Sequence, residues 1–137
     1  MMGKILIVED DEIYSRVIRL YLEEKLNHEV HVLHDGESAI AELPDIMPDV
    51  IILDIILPGM SGFAVCNKIK HDSAYKDIPI IMLSVKSEIK DIKAAMHAGA
   101  DDYITKKDTI DSIWEQLEIK IDHAMGRDNG LGKEEAH

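Results

Sequence analysis

A single cysteine, Cys66, stands in 137 residues. One thiol excludes an internal disulfide framework and fits a reducing compartment, and its place in a helical pattern marks it as a small buried hydrophobe. Positive charge is scarce too. Fifteen lysines and arginines against 27 acids leave a net charge of -12, which excludes this chain from holding nucleic acid by its phosphates. Any DNA contact belongs to another domain. No apolar run approaches the length of a membrane span and no charged-then-apolar leader precedes the first strand, so membrane insertion is not expected and the chain reads as cytoplasmic. Repeats and low-complexity blocks are absent. Seven histidines are scattered, and the close pair His31 and His34 lacks metal-ligand helical spacing, so no transition-metal site is expected.

What is present is a regular alternation. At 46% hydrophobic the chain can bury one real core. Apolar runs of strand length occupy residues 5–8, 30–33 (interrupted by His31), 50–53 and 78–83, with a weaker run at Tyr103 and Ile104. Between them lie helical stripes: Ile13, Val17, Leu20 and Tyr21; a short helix over residues 38–43; Phe63, Cys66 and Ile69; Ile89, Ile92 and Met96; and Ile110, Ile113, Trp114, Leu117 and Ile121. Strands without polar alternation imply a parallel sheet covered on both faces. The fold class is therefore α/β, a doubly wound (βα)5 architecture. Turns are expected at Asp35-Gly36 and Pro58-Gly59, a helix stop at Gly99, and helix caps at Ser61, Ser87 and Asp108. Asp11 and Glu12 suit the first turn of helix one. From Gly126 the sequence GRDNGLGKEEAH loses its stripe, which divides the chain into a domain over residues 1–125 and a tail or linker over residues 126–137.

Ligands of open parallel sheets bind beyond the carboxyl ends of the strands. The first strand ends in Glu9-Asp10, the third in Asp54, the fourth in Ser84, and Lys106 lies just past the fifth. The second ends in ordinary turn residues, as befits an edge strand. Four strands thus bring an acid pair, an acid, a hydroxyl and an ammonium to one rim. Clustered carboxylates repel one another and are costly to desolvate, so a positive group belongs among them. Lys106 is one candidate. A hard cation with oxygen ligands, Mg²⁺ (or Mn²⁺), is the other.

With these residues in place, KILIVEDDE, VIILDIILPGMSG, IPIIMLS and GADDYITK resemble the receiver domain of two-component response regulators, over about residues 3 to 125. The resemblance implies a CheY-like, flavodoxin-like fold with its five-stranded sheet in the order 2-1-3-4-5. It implies that Asp54 accepts a phosphoryl group, that Asp10, Asp54 and the backbone carbonyl of Ile56 hold the metal with Glu9 beside it or acting through water, that Lys106 contacts the phosphoryl group, and that Ser84 and Tyr103 form the switch. It further implies a histidine kinase or phosphotransfer protein as donor, and an output domain or protein partner read through the face of helix four, strand five and helix five. The chain would catalyse only its own phosphorylation and dephosphorylation.

Departures from that family's pattern carry expectations of their own. Lys107 stands where a proline after a cis bond is usual, so a trans Lys106-Lys107 peptide is expected. Val85 replaces a smaller residue and narrows access to Asp54. Ile56 and Lys86 occupy positions that the resemblance links to phosphate lifetime, and an apolar Ile56 implies a long-lived phosphoryl group. Helix five has no arginine before Arg127 to meet Asp101 and Asp102, which favours a monomer over a dimer in the absence of phosphate. Two other readings stand beside this one. A receiver-shaped interaction module without phosphate is the first. A Mg²⁺-dependent aspartyl phosphohydrolase, similar to haloacid dehalogenase-like enzymes, is the second, although Ile56 holds the position of its acid-base aspartate.

Overall fold

The computed structural model describes residues 3–126. Its elements, in chain order, are β1 (Lys4–Val8), α1 (Glu12–Glu24), β2 (Glu29–Leu33), α2 (Gly36–Ile46), β3 (Val50–Leu53), α3 (Gly62–Lys70), β4 (Ile80–Ser84), α4 (Ile89–Ala98), β5 (Asp102–Thr105) and α5 (Ile110–Ala124). All strand pairs are parallel and the sheet order is β2-β1-β3-β4-β5. This is the doubly wound (βα)5 arrangement. The central strands β1, β3 and β4 are buried on both faces, which is why they contain almost nothing but isoleucine, leucine and valine.

Because side chains alternate along a strand, each central strand feeds two cores. Leu6, Val8, Ile51, Leu53, Ile80 and Met82 meet Ala39 and Leu43 of α2, Val65, Cys66 and Ile69 of α3, and Ala95 of α4. On the other face Ile5, Ile7, Ile52, Ile81, Leu83 and Ile104 meet Ile18 and Leu22 of α1 and Ile113, Leu117 and Ile121 of α5. Tyr21 stacks on Trp114 there, ring centroids 4.2 Å apart, tying α1 to α5. No described helix is long and apolar enough to cross a membrane.

Two helices turn a different face inward from the one their stripes suggest. In α1, Ile13, Val17 and Leu20 are exposed, Ile13 by 73%, and the buried line is Ser15, Ile18 and Leu22. The helix carries apolar residues around most of its girth, and the sheet selects the line that meets β1 and β3. In α4, Ile89, Ile92 and Met96 face outward while Asp91 and Ala95 are buried. Small Ala95 lets α4 approach α3 closely, and larger side chains are displaced to the surface.

Helix ends also differ in part. Ser61 caps α3, its Oγ accepting the Ala64 N–H at 3.3 Å. Ser87 does not cap α4: Glu88 is the N-cap, and its N–H donates to Asp91 Oδ2 at 3.1 Å, which starts the helix one residue later. Nor does Asp108 cap α5. Thr109 Oγ1 accepts the Ser112 N–H at 3.2 Å, and Asp108 Oδ2 instead accepts from Gln116 Nε2 at 2.8 Å. Asp35 is the N-cap of α2, which runs well past the short segment expected. Gly99 ends α4 at φ 107°, where a Cβ would be strained. The Lys106-Lys107 peptide is trans, as are all described peptides. Apart from Gly126, the stretch read as a tail lies outside the described residues.

Candidate phosphoryl-transfer site

The strand ends converge. Parallel pairing aligns the last residues of β1, β3, β4 and β5 along one rim: Val8 is level with Leu53, and Ser84 with Thr105. The chain then leaves the sheet while its backbone bonds persist one step further. Asp54 N–H donates to Val8 O at 3.0 Å, Glu9 N–H to Leu33 O at 3.0 Å, and Lys106 N–H to Ser84 O at 2.9 Å. Each of these residues is therefore held by backbone before its side chain is considered. Behind Asp54 the chain turns sharply into α3, and Gly62 makes that turn fit, since a Cβ there would lie 2.0 Å from the Asp54 carbonyl oxygen.

Glu9, Asp10 and Asp54 each place a carboxylate oxygen within 4.8 Å of the other two. Glu9 and Asp54 are only 3% and 5% exposed, whereas Asp10 opens to solvent. Lys106 Nζ lies 2.5 Å from Glu9 Oε1 and 2.9 Å from Asp54 Oδ2. The remaining carboxylate oxygens take backbone donors, Asp11 N–H on Glu9 Oε2 at 3.0 Å and Ile56 N–H on Asp54 Oδ1 at 3.2 Å. One lysine answers three acids, so the cluster keeps a net negative charge. Burial, with Asp54 nearby, raises the Glu9 carboxyl to about 7 despite its bonds to Lys106 and Asp11. For Lys106, burial pulls the ammonium down, but its hydrogen bonds to Glu9 and Asp54 outweigh that effect and hold its pKa above the ordinary lysine value.

Ser84 is fully buried at the end of β4, with its Oγ accepting the Lys86 N–H at 3.4 Å. Tyr103 packs its ring against the core on the α3–α4 side and donates its hydroxyl to the Lys86 carbonyl. Burial raises that phenol to about 12. Ser84 and Tyr103 thus both bond to the backbone of Lys86, in the loop leading to α4. Ile56 and Val85 stand half exposed near this rim, and Ile56 offers no polar side-chain atom. The cavity lined by Ile7, Glu9, Tyr14, Ile52, Asp54 and Leu83 measures only about 10 Å³, too small to hold a phosphodonor.

One neighbour is marked by none of the motifs. Tyr14, in the first turn of α1, places its ring under the Lys106 ammonium, 4.4 Å from centroid to Nζ. An aromatic one helical turn after an acid pair was the available signal. The pairs Asp101 with Lys70 at 2.9 Å and Asp102 with Lys120 at 2.8 Å show that the two acids at the start of β5, one just before it and one its first residue, already have partners within the chain, and that α5 supplies a lysine where an arginine was sought. Cys66 is buried and its thiol is raised to about 11 by desolvation, which leaves it inert as a nucleophile. His31 bonds to Glu29 and His34 Nδ1 donates to the Glu9 carbonyl oxygen.

The same fold occurs in known proteins. The chain is 37% identical to the DNA-binding dual master transcriptional regulator RpaA of Synechocystis over 105 residues, which cover 77% of this chain and 43% of RpaA. It thus spans less than half the length of the curated relatives it matches. In structure it resembles the phosphorylated cyanobacterial phytochrome response regulator RcpA, with TM-score 0.81, 28% identity, and coverage of 94% of this chain and 98% of RcpA. It also resembles the receiver domain of a sensor histidine kinase from Pseudomonas aeruginosa PAO1, whose active-site cleft coordinates a magnesium ion, with TM-score 0.80, 25% identity, and coverage of 92% of this chain and 99% of that one. The family model of the response regulator receiver domain matches residues 5–118. With four strand ends delivering acids, a hydroxyl and a lysine to one rim of a 2-1-3-4-5 sheet, the chain belongs to the response regulator receiver domain family.

Proposed function

We propose that Asp54 is the phosphoacceptor of this receiver, taking a phosphoryl group from a phosphohistidine of a kinase or phosphotransfer protein. The observation that carries the reading is Lys106, whose ammonium bridges buried Glu9 and Asp54 at 2.5 and 2.9 Å. One Asp54 carboxylate oxygen attacks phosphorus, an O–P bond forms as the P–N bond breaks, and the leaving imidazole keeps the electron pair and takes a proton. No protein base is required, since the attacking group is a carboxylate. Lys106 donates to the oxygens that gain charge, and the backbone N–H of Ile56 holds the aspartate in place.

Mg²⁺ fits the donor set, because three carboxylates within 4.8 Å face a single lysine and retain unbalanced negative charge. Asp10 and Asp54, with the Ile56 carbonyl, would hold it, and Glu9 would act beside it or through water. When bound, it neutralises phosphoryl oxygen charge and helps align the donor.

The new group brings roughly -1.5 to -2 charges and strong acceptor oxygens to the rim. Ser84 turns to donate to it, and Tyr103 fills the space behind, so that the Lys86 loop and α4 shift together. A histidine kinase on the input side and an output domain or separate protein on the other complete the circuit, placed in the cytoplasm. Residues 1–125 serve as the receiver, and residues 126–137 as a tail or a link to a further domain. The chain's own chemistry is confined to gaining and losing its phosphoryl group. Incubation with acetyl phosphate and Mg²⁺ should add one phosphoryl mass to the wild-type chain and none to Asp54→Asn. Equal labelling of both would refute the assignment.

A further inference from the structure

Lysine carries three N–H donors. Two of those on Lys106 have carboxylate partners, Glu9 Oε1 and Asp54 Oδ2. The ammonium also sits over the Tyr14 ring at 4.4 Å. That ring comes from the first turn of α1 and packs against the α1–α5 core, so its position is fixed by the helix rather than by the lysine. Its hydroxyl is buried and forms no hydrogen bond within the described residues. A buried, unpaired hydroxyl is a cost to folding. What the ring contributes at this point is its π face, whose attraction for a cation grows when both are desolvated.

We propose that Tyr14 is a positioning residue of this site, its ring holding the Lys106 ammonium beside Asp54 while the ammonium exchanges a carboxylate partner for phosphoryl oxygens. The proposal rests on Asp54 as phosphoacceptor. Before transfer, Asp54 attracts Lys106 as an anion. Once the O–P bond has formed, the acyl group of Asp54 no longer bears that charge, and the negative oxygens lie further out on phosphorus. The pull of the ring does not depend on the charge state of Asp54. It therefore keeps the ammonium in reach throughout the exchange, which an aliphatic side chain of similar size cannot do.

The test compares wild type, Tyr14→Phe and Tyr14→Leu in the full chain. Three quantities are measured: thermal unfolding, the rate of phosphorylation by acetyl phosphate at saturating Mg²⁺, and the proton shifts of the Lys106 ε-methylene by NMR. Tyr14→Leu should slow phosphorylation by roughly 3- to 20-fold, and Tyr14→Phe should recover most of the rate. The Lys106 ε-protons should show an upfield ring-current shift in wild type and Tyr14→Phe that Tyr14→Leu lacks. A Leu variant that labels at the wild-type rate overturns the proposal, as does a Phe variant as slow as Leu, which would place the effect in the hydroxyl. If Tyr14→Leu does not fold, absence of the ring-current shift in wild type or Tyr14→Phe overturns it alone. A wild-type chain that takes no phosphate yet shows the shift would instead sink the phosphoacceptor reading.

Discussion

Lys106 and Asp54 lie on β-strand ends separated by β4, yet the lysine ammonium reaches the carboxylate at 2.9 Å and shares itself with Glu9. All three side chains are almost wholly buried. Removing the cation therefore leaves two desolvated carboxylates facing each other. Lys106→Met should destabilise the metal-free chain by about 3 kcal/mol at pH 8, less at pH 5 where Glu9 takes up a proton, and chemical denaturation at the two pH values measures the difference.

Glu9 gives the metal-free protein a pH dependence of definite sign. Its folded-state pKa is raised from 4.5 to about 7, mainly by burial. Between those values the folded state binds more protons than the unfolded one, so this group's contribution makes stability fall as pH rises through the window. Glu9→Gln should flatten the dependence between pH 4.5 and 7. An unchanged slope in the variant would show that other groups set it.

Magnesium should reverse that trend. An ion bound only by the folded state adds stability by mass action, about 1.4 kcal/mol at ten times its dissociation constant. Thermal unfolding with and without Mg²⁺ should show a larger gain at pH 8 than at pH 5, because protonation of Glu9 at the lower pH removes negative charge from beside the metal. Asp10→Asn and Asp54→Asn should each lose most of the gain, and His31→Ala should keep it.

Much of this was legible in the sequence, and the limits have physical causes. The central strands are apolar throughout, so their number, their parallel pairing and the residues at their ends could be read directly. The inward faces of α1 and α4 could not. Ile13 and Ile89 are each over 70% exposed because those helices carry two candidate apolar lines, and only contact with the sheet decides between them. Caps at Ser87 and Asp108 failed for a related reason: polar residues cluster at each helix start, and the backbone bond from Glu88 to Asp91 or from Ser112 to Thr109 selects among neighbours. The contact between Tyr14 and Lys106 joins residues 92 positions apart, a distance across which periodicity carries no information.

The proposed switch pair, Ser84 and Tyr103, has a bond to break. Tyr103 donates its hydroxyl to the Lys86 carbonyl, and Ser84 Oγ accepts from the Lys86 N–H. Tyr103→Phe should cost about 1 kcal/mol of stability and weaken coupling between phosphorylation and the α4 amide signals in NMR spectra. If those signals move on phosphorylation as far in Tyr103→Ala as in wild type, Tyr103 is not part of the response.

A half-exposed Ile56 beside Asp54 supplies no polar atom to orient an attacking water. The phosphoryl group should accordingly persist for minutes or longer at neutral pH, and Ile56→Asn should shorten its life. Loss from wild type within seconds, tracked by gel mobility or intact mass, would contradict this.

The chemistry of position 54 can be read directly by trapping. Borohydride reduces an acyl phosphate of aspartate to homoserine, which peptide mass spectrometry locates to a single residue. After treatment with a phosphodonor and Mg²⁺, homoserine should occur at position 54 and nowhere else. Its absence there, with either a small-molecule donor or a phosphorylated kinase, or its occurrence at Asp10 instead, would contradict the account.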